Sequence, residues 1–124
     1  MGAEIHFSFQ KQNSDGWKSI SSNFSGDRSY QLFAWLGLEI RNDGSITAIS
    51  SLRGLPDDIE VKYDNEFGPD MTWGEHSQSW LTSDEILAAT PPDDAGEVLL
   101  EFLDEVQHLH IEHGAIRIVF GFEG

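Results

Sequence analysis

The sequence contains no cysteine. A disulfide scaffold, a thiolate zinc site and a cysteine nucleophile are therefore excluded. Positive charge is also scarce: seven Lys+Arg stand against 22 Asp+Glu, for a formal net charge of −15. This rules out a general basic surface for gripping phosphates, so direct nucleic-acid binding is not expected. A local site is not ruled out. No apolar run approaches the ~20 residues of a membrane helix, so no membrane association is expected. No basic segment followed by an apolar one opens the chain, so no signal peptide is expected and the expected location is cytoplasmic. Against these absences, 39% of residues are hydrophobic, with eight Phe and four Trp among 124. That is enough to build a core and argues against disorder. The length predicts a single globular domain over residues 1–124.

The apolar pattern is that of an α+β protein. Ala3, Ile5, Phe7 and Phe9 alternate with Glu4, His6, Ser8 and Gln10, as in a half-buried strand. Asn13-Ser14-Asp15-Gly16 signals a turn, and Trp17 to Phe24 is expected to return as a second strand. Asp27 is the expected cap of a helix from Arg28 to Leu36, with Gly37 as its stop. Asn42-Asp43-Gly44 is a turn signal, and Ile46 and Ile49 fit a short strand or an irregular segment. Arg53 to Asp58 reads as a loop, Ile59 to Asp64 as a strand and His76 to Leu81 as extended chain. Thr82-Ser83-Asp84-Glu85 spells a capping box for a short helix through Ala89. Beyond Pro91-Pro92, residues Ala95, Val98, Leu99, Phe102, Leu103, Val106 and Leu109 share one helical face, and Gly114 ends that helix. Ile116, Ile118, Phe120 and Phe122 alternate as a closing strand. The expectation is a mostly antiparallel sheet with terminal strands, and two or three helices packed on one face. If the terminal strands are neighbours, Glu4 or His6 lies near Arg117 or Glu123.

The acidity is unevenly distributed. Residues 63–116 hold thirteen acids and neither Lys nor Arg. Glu97, Glu101 and Glu105 are spaced i, i+4, i+8, about 6 Å per step along one helix stripe. Without basic partners the stripe costs a few tenths of a kcal/mol per pair. It reads either as a solvated helix face or as a ribbon of carboxylates for a basic partner, whose association its field would speed.

Among the five histidines, His108, His110 and His113 cluster near the end of the long helix. Two imidazoles with Glu112 or Asp104 would suit a metal; the plainer reading is polar side chains at the negative end of a helix. No recognised ligand spacing is present. Glu4 and His6, at i, i+2 on one strand face, could supply two divalent-metal ligands or a base with its orienting carboxylate. Alternation alone also explains them. Ser77 and Ser79 lie beside His76, but no G-x-S-x-G elbow surrounds them, and no P-loop is present.

Five segments together carry a resemblance: Met1-Gly2-Ala3-Glu4-Ile5-His6, Asp27 to Ala34, Arg53-Gly54-Leu55-Pro56-Asp57-Asp58, His76-Ser77-Gln78-Ser79-Trp80-Leu81-Thr82 and Arg117 to Glu123. In this order they resemble a family of small proteins of phages, prophages and environmental bacteria, with no activity established for the family as a whole. Where that family opens with Cys and Asp before Ile-His, this chain has Ala3 and Glu4; where it closes with Asp, this chain has Glu123. The resemblance implies a phage-type accessory protein acting in the cytoplasm of a bacterial host. It singles out Glu4, His6, Arg28, Tyr30, Arg53, Asp57, Asp58, His76, Trp80 and Arg117 as candidate ligand-binding residues, with Asp27 and Glu123 beside them. The leading expectation is a non-enzymatic binding or inhibitory protein, a host-defence antagonist, with no cofactor. Glu97, Glu101 and Glu105 would meet a basic host protein or a nucleic-acid-binding complex. A second expectation is a small-molecule or nucleotide site, or a metal-dependent hydrolase, built around Glu4, His6 and His76. Arg28, Arg53 and Arg117 would then be anion clamps. A third is a structural or assembly protein.

Overall fold

A computed structural model describes residues 2–39, 44–59, 63–64, 68–69 and 72–124. The elements run β1 (Glu4–Asn13), β2 (Gly16–Ile20), α1 (Tyr30–Leu36), β3 (Tyr63–Asp64), β4 (Gly68–Pro69), β5 (His76–Thr82), α2 (Ser83–Ala88), α3 (Gly96–His113) and β6 (Ile116–Glu123). Four strands form an antiparallel sheet in the order β2-β1-β6-β5, and β3 pairs with β4 in a separate ribbon. The fold is α+β. The terminal strands are neighbours, with Glu4 opposite Glu123 and Gln10 opposite Arg117.

The alternating apolar residues bury one sheet face beneath the helices. Phe9 stacks on Phe102 of α3 at 6.2 Å, and Phe122 meets Phe33 of α1 edge-on at 5.1 Å. Leu32, Leu99, Phe102, Val106 and Phe120 are fully enclosed in the same cluster. The turn at 13–16 and the capping box form as expected: the Thr82 hydroxyl accepts from the Glu85 amide, and the Glu85 carboxylate accepts from the Thr82 amide. Gly37 follows α1 with φ +120, a value that suits glycine.

Two expectations are corrected. Ser29, not Asp27, caps α1; its hydroxyl accepts from the Leu32 amide at 3.1 Å, while Asp27 is exposed. β2 ends at Ile20 rather than reaching Phe24, because Asn23 donates its amide to Glu105 of α3 and Phe24 turns into the core against Phe102. The closing strand forms as expected, and every residue of β6 from Ile116 to Phe122 is buried. Ile46 and Ile49 lie in irregular chain. Much of the expected turn at 42–44 and strand at 59–64 falls outside the described residues.

β6 is buried on both sides because irregular chain crosses the face the helices leave open. The Arg53 and Gly54 amides donate to the Ser79 hydroxyl (2.9 Å) and the Gln78 carbonyl (3.0 Å), which covers the outer edge of β5. Farther on, the Trp73 carbonyl lies against Gly121, where an added Cβ would approach it to 1.8 Å. Gly121 is thus required by close approach, not by backbone conformation. Gly121→Ala is expected to destabilise the fold by about 1–3 kcal/mol, the usual cost of overpacking. Urea unfolding at unchanged m-value is the measurement; an unchanged midpoint would contradict this packing.

Candidate functional site

One end of the sheet gathers five of the singled-out residues. The register sets Glu4 directly opposite Glu123, a like-charge pair that would be unfavourable alone. Each carboxylate has its own partner: Arg28 Nη2 lies 3.6 Å from Glu4, and His6 Nε2 lies 3.6 Å from Glu123. Arg28 also donates from Nε to the Ala3 carbonyl at 3.1 Å. A Cβ on Gly2 would meet the Tyr30 hydroxyl at 2.1 Å, so the chain passes close beneath that ring. His76 places Nε2 2.9 Å from the Gly124 carbonyl and Nδ1 2.9 Å from the Ser77 hydroxyl. The buried Nε2 of His6 makes no hydrogen bond among the described residues.

Arg53 is engaged elsewhere. Its guanidinium grips both carboxylate oxygens of Glu85, donates to the Trp80 carbonyl at 3.1 Å and sits 4.6 Å above the Trp80 ring. The arginine's hydrogen bonds hold the Glu85 carboxyl down to about 2, and burial opposes them. The same contact raises Arg53. Glu85 therefore joins the β5 edge to the α2 cap, and Arg53 has little left for an anion.

Arg117 is likewise committed. Its side chain is 5% exposed. It donates to both oxygens of Asp58 at 2.9 and 2.6 Å and from Nε to Gln10 at 2.8 Å, and lies 4.1 Å over the Trp17 ring. The Arg117 hydrogen bond lowers the Asp58 carboxyl below its usual range. Asp57 is exposed beside this pair. The singled-out residues thus meet in partnered groups: Glu4, His6, Arg28, Tyr30 and His76 at the sheet end, Arg53 with Trp80, and Arg117 with Asp58. Neither Glu4 nor His6 meets Arg117, while His6 does meet Glu123.

The acid stripe on α3 is also corrected. Glu97 and Glu101 are exposed, but Glu105 is 8% exposed and accepts from the Asn23 amide. The reason is helical geometry: each four-residue step overshoots a full turn by about 40°. Two steps from Glu97 carry the carboxylate to the border of the Phe102–Val106–Leu109 face. A groove of about 480 Å³ remains between α3 and the chain after β2, lined by Asn23, Phe24, Glu101, Asp104, Glu105 and His108.

Two of the clustered histidines share one carboxylate, and the third turns elsewhere. His108 and His113 approach Glu112 at 3.4 and 3.9 Å. His110 Nδ1 lies 2.7 Å from the Ser83 hydroxyl, and its Nε2 lies 3.9 Å from Asp84. Ser83, His110 and Asp84 follow the order of a nucleophile, its base and an orienting acid. However, Ser83 is 1% exposed and its oxygen accepts from the Ile116 amide at 3.0 Å, so the trio is a strut joining α2, α3 and β6. The sequence reading missed this strut because its members lie 27 residues apart. Among the described residues no group of three or more His, Asp or Glu is placed to hold a metal ion. Comparison with known proteins found no matching family model, no similar curated protein and no similar solved structure.

Two stability outcomes follow from the paired acids. Glu85 has a folded value near 2 against an ordinary 4.5, so its contribution is complete above about pH 5 and is lost as pH falls toward 2. Arg53→Ala should cost about 1 kcal/mol at pH 7 and flatten the acid limb of a stability–pH curve. A parallel downward shift of the whole curve would count against the pair. Asp58→Ala should cost about 2–3 kcal/mol by denaturant unfolding, because it strips a buried guanidinium of its carboxylate; half-exposure of Asp58 keeps this below the full buried-pair cost.

Proposed function

We propose that the protein is a binding protein that presents the outer face of α3 to a basic partner protein. One observation carries this reading: the charge on that face is unspent. Arg28, Arg53 and Arg117 are committed to Glu4, Glu85 and Asp58. Glu97, Glu101 and Asp104 are exposed and make no ion pair among the described residues. Leu100, at 51% exposure, and Ile111, at 77%, lie on the same outward side at i and i+11, with Asp104 between them. Apolar contacts framed by unpaired carboxylates suit a partner segment that mixes Lys or Arg with apolar residues. The phage-type resemblance makes a host protein or a nucleic-acid-binding complex the partner this reading favours, and inhibition of a host defence its use.

The test is an affinity pulldown from the native host, eluted with rising salt, beside the triple variant Glu97→Lys, Glu101→Lys, Asp104→Lys. A partner held through this face should release steeply as salt rises and should not be retained by the variant. Retention indifferent to salt and to charge reversal would defeat the reading. A second reading, a small-molecule site at the sheet end, is favoured by the buried Nε2 of His6, which makes no hydrogen bond among the described residues. It requires a thermal shift with nucleotides or divalent metals, because binding stabilises the native state by mass action.

A further inference from the structure

We infer that Ser77 is an activated nucleophile, with His76 as its base, able to accept an acyl group from a small activated ester. The arrangement begins with the ring orientation. A carbonyl oxygen can only accept, so His76 Nε2, 2.9 Å from the Gly124 carbonyl, must carry the proton. In the neutral ring Nδ1 is then a free acceptor. The hydroxyl 2.9 Å away, that of Ser77, donates to it. Nucleophile, base and a third group orienting the base are therefore within hydrogen-bond reach of one another in sequence.

The backbone adds a second, independent observation. Ser77 has φ +56 and is the one non-glycine residue with positive φ among the described residues. It sits where the β5–β6 register shifts between His76 and Ser79. Such strain is retained where the surroundings impose it, and bulges re-aim a side chain out of the ladder. Both His76 and Ser77 are half-buried, so the hydroxyl is reachable, unlike that of Ser83. No G-x-S-x-G pattern marks the site, because the turn is a bulge within a strand and not a strand-to-helix elbow.

The chemistry closes on itself. Ser77 Oγ attacks the ester carbonyl carbon as its proton passes to His76 Nδ1. Collapse of the tetrahedral adduct breaks the bond to the leaving oxygen, which departs with the electron pair and takes the proton back from His76. Water, delivered against the acyl-serine by the same base, releases the acid and restores Ser77. The inference does not depend on the acidic face of α3.

The probe is p-nitrophenyl acetate, incubated with the full chain, with the acetyl group located by peptide mass mapping. Ser77 should be the acetylated residue. Ser77→Gly, which suits a positive φ and so keeps the fold, should carry no acetyl group at position 77 and should release nitrophenol only at the background rate. His76→Gln should slow acetylation of Ser77 by ~100-fold, within the usual range for a general base. Circular dichroism checks both variants for folding, and the comparison with Ser77→Gly stands even if His76→Gln unfolds. Acetyl groups on lysines or on His76 but not on Ser77, or equal nitrophenol release by the wild type and Ser77→Gly, would overturn the inference.

Discussion

The burial of β6 on both faces is the constraint on which the rest of the molecule depends. A strand enclosed from Ile116 to Phe122 needs a partner on each edge and a cover on each side. β1 and β5 supply the edges. The helices cover Ile118, Phe120 and Phe122 with an aromatic core. The other side holds Arg117, Val119 and Gly121, which need different solutions. Arg117 is neutralised by Asp58 and stacked on Trp17, and Gly121 makes room for the chain at Trp73. An apolar strand face and a face with one arginine and one glycine are thus satisfied by regular and irregular chain respectively.

That demand explains the fate of the few cations. A fully enclosed guanidinium is stable only with bidentate, hydrogen-bonded partners, and Arg117 has them. Arg53 uses the same geometry to join the β5 edge to the cap of α2. With Arg28 beside Glu4 at the sheet end, the three described arginines offset acids at the seams of the fold. On α3, Glu97, Glu101 and Asp104 remain exposed with no ion-pair partner among the described residues.

Much of the architecture was legible in the sequence. The alternation at residues 3–10 and 116–122, the capping box at Thr82–Glu85 and the 3.6-residue period after Pro92 are local patterns whose physics needs no distant partner. The misread elements share the opposite property. Ser29 displaced Asp27 as a cap because its extended backbone sets the hydroxyl against the Leu32 amide. β2 stopped short because Glu105, 82 residues away, takes the Asn23 amide. The site residues follow the same rule. Glu4, His6, Arg28 and His76 share an end of the sheet because of register, which a list of motifs does not encode. Arg53 and Arg117 looked like anion clamps until their carboxylate partners were seen.

The sequence by itself determined the α+β class, the helix and strand periods, the strong acidity and the absence of thiol chemistry. Each of these follows from composition or from the repeat of a single element. Only the tertiary structure decided which carboxylates are free, which histidines have partners and which serine hydroxyl can be reached. Those properties belong to pairs of groups far apart in the chain. Ser77 and Ser83 make the point: both hydroxyls bond to an imidazole, yet one lies half-buried on a strained bulge and the other is sealed beneath two helices and a strand.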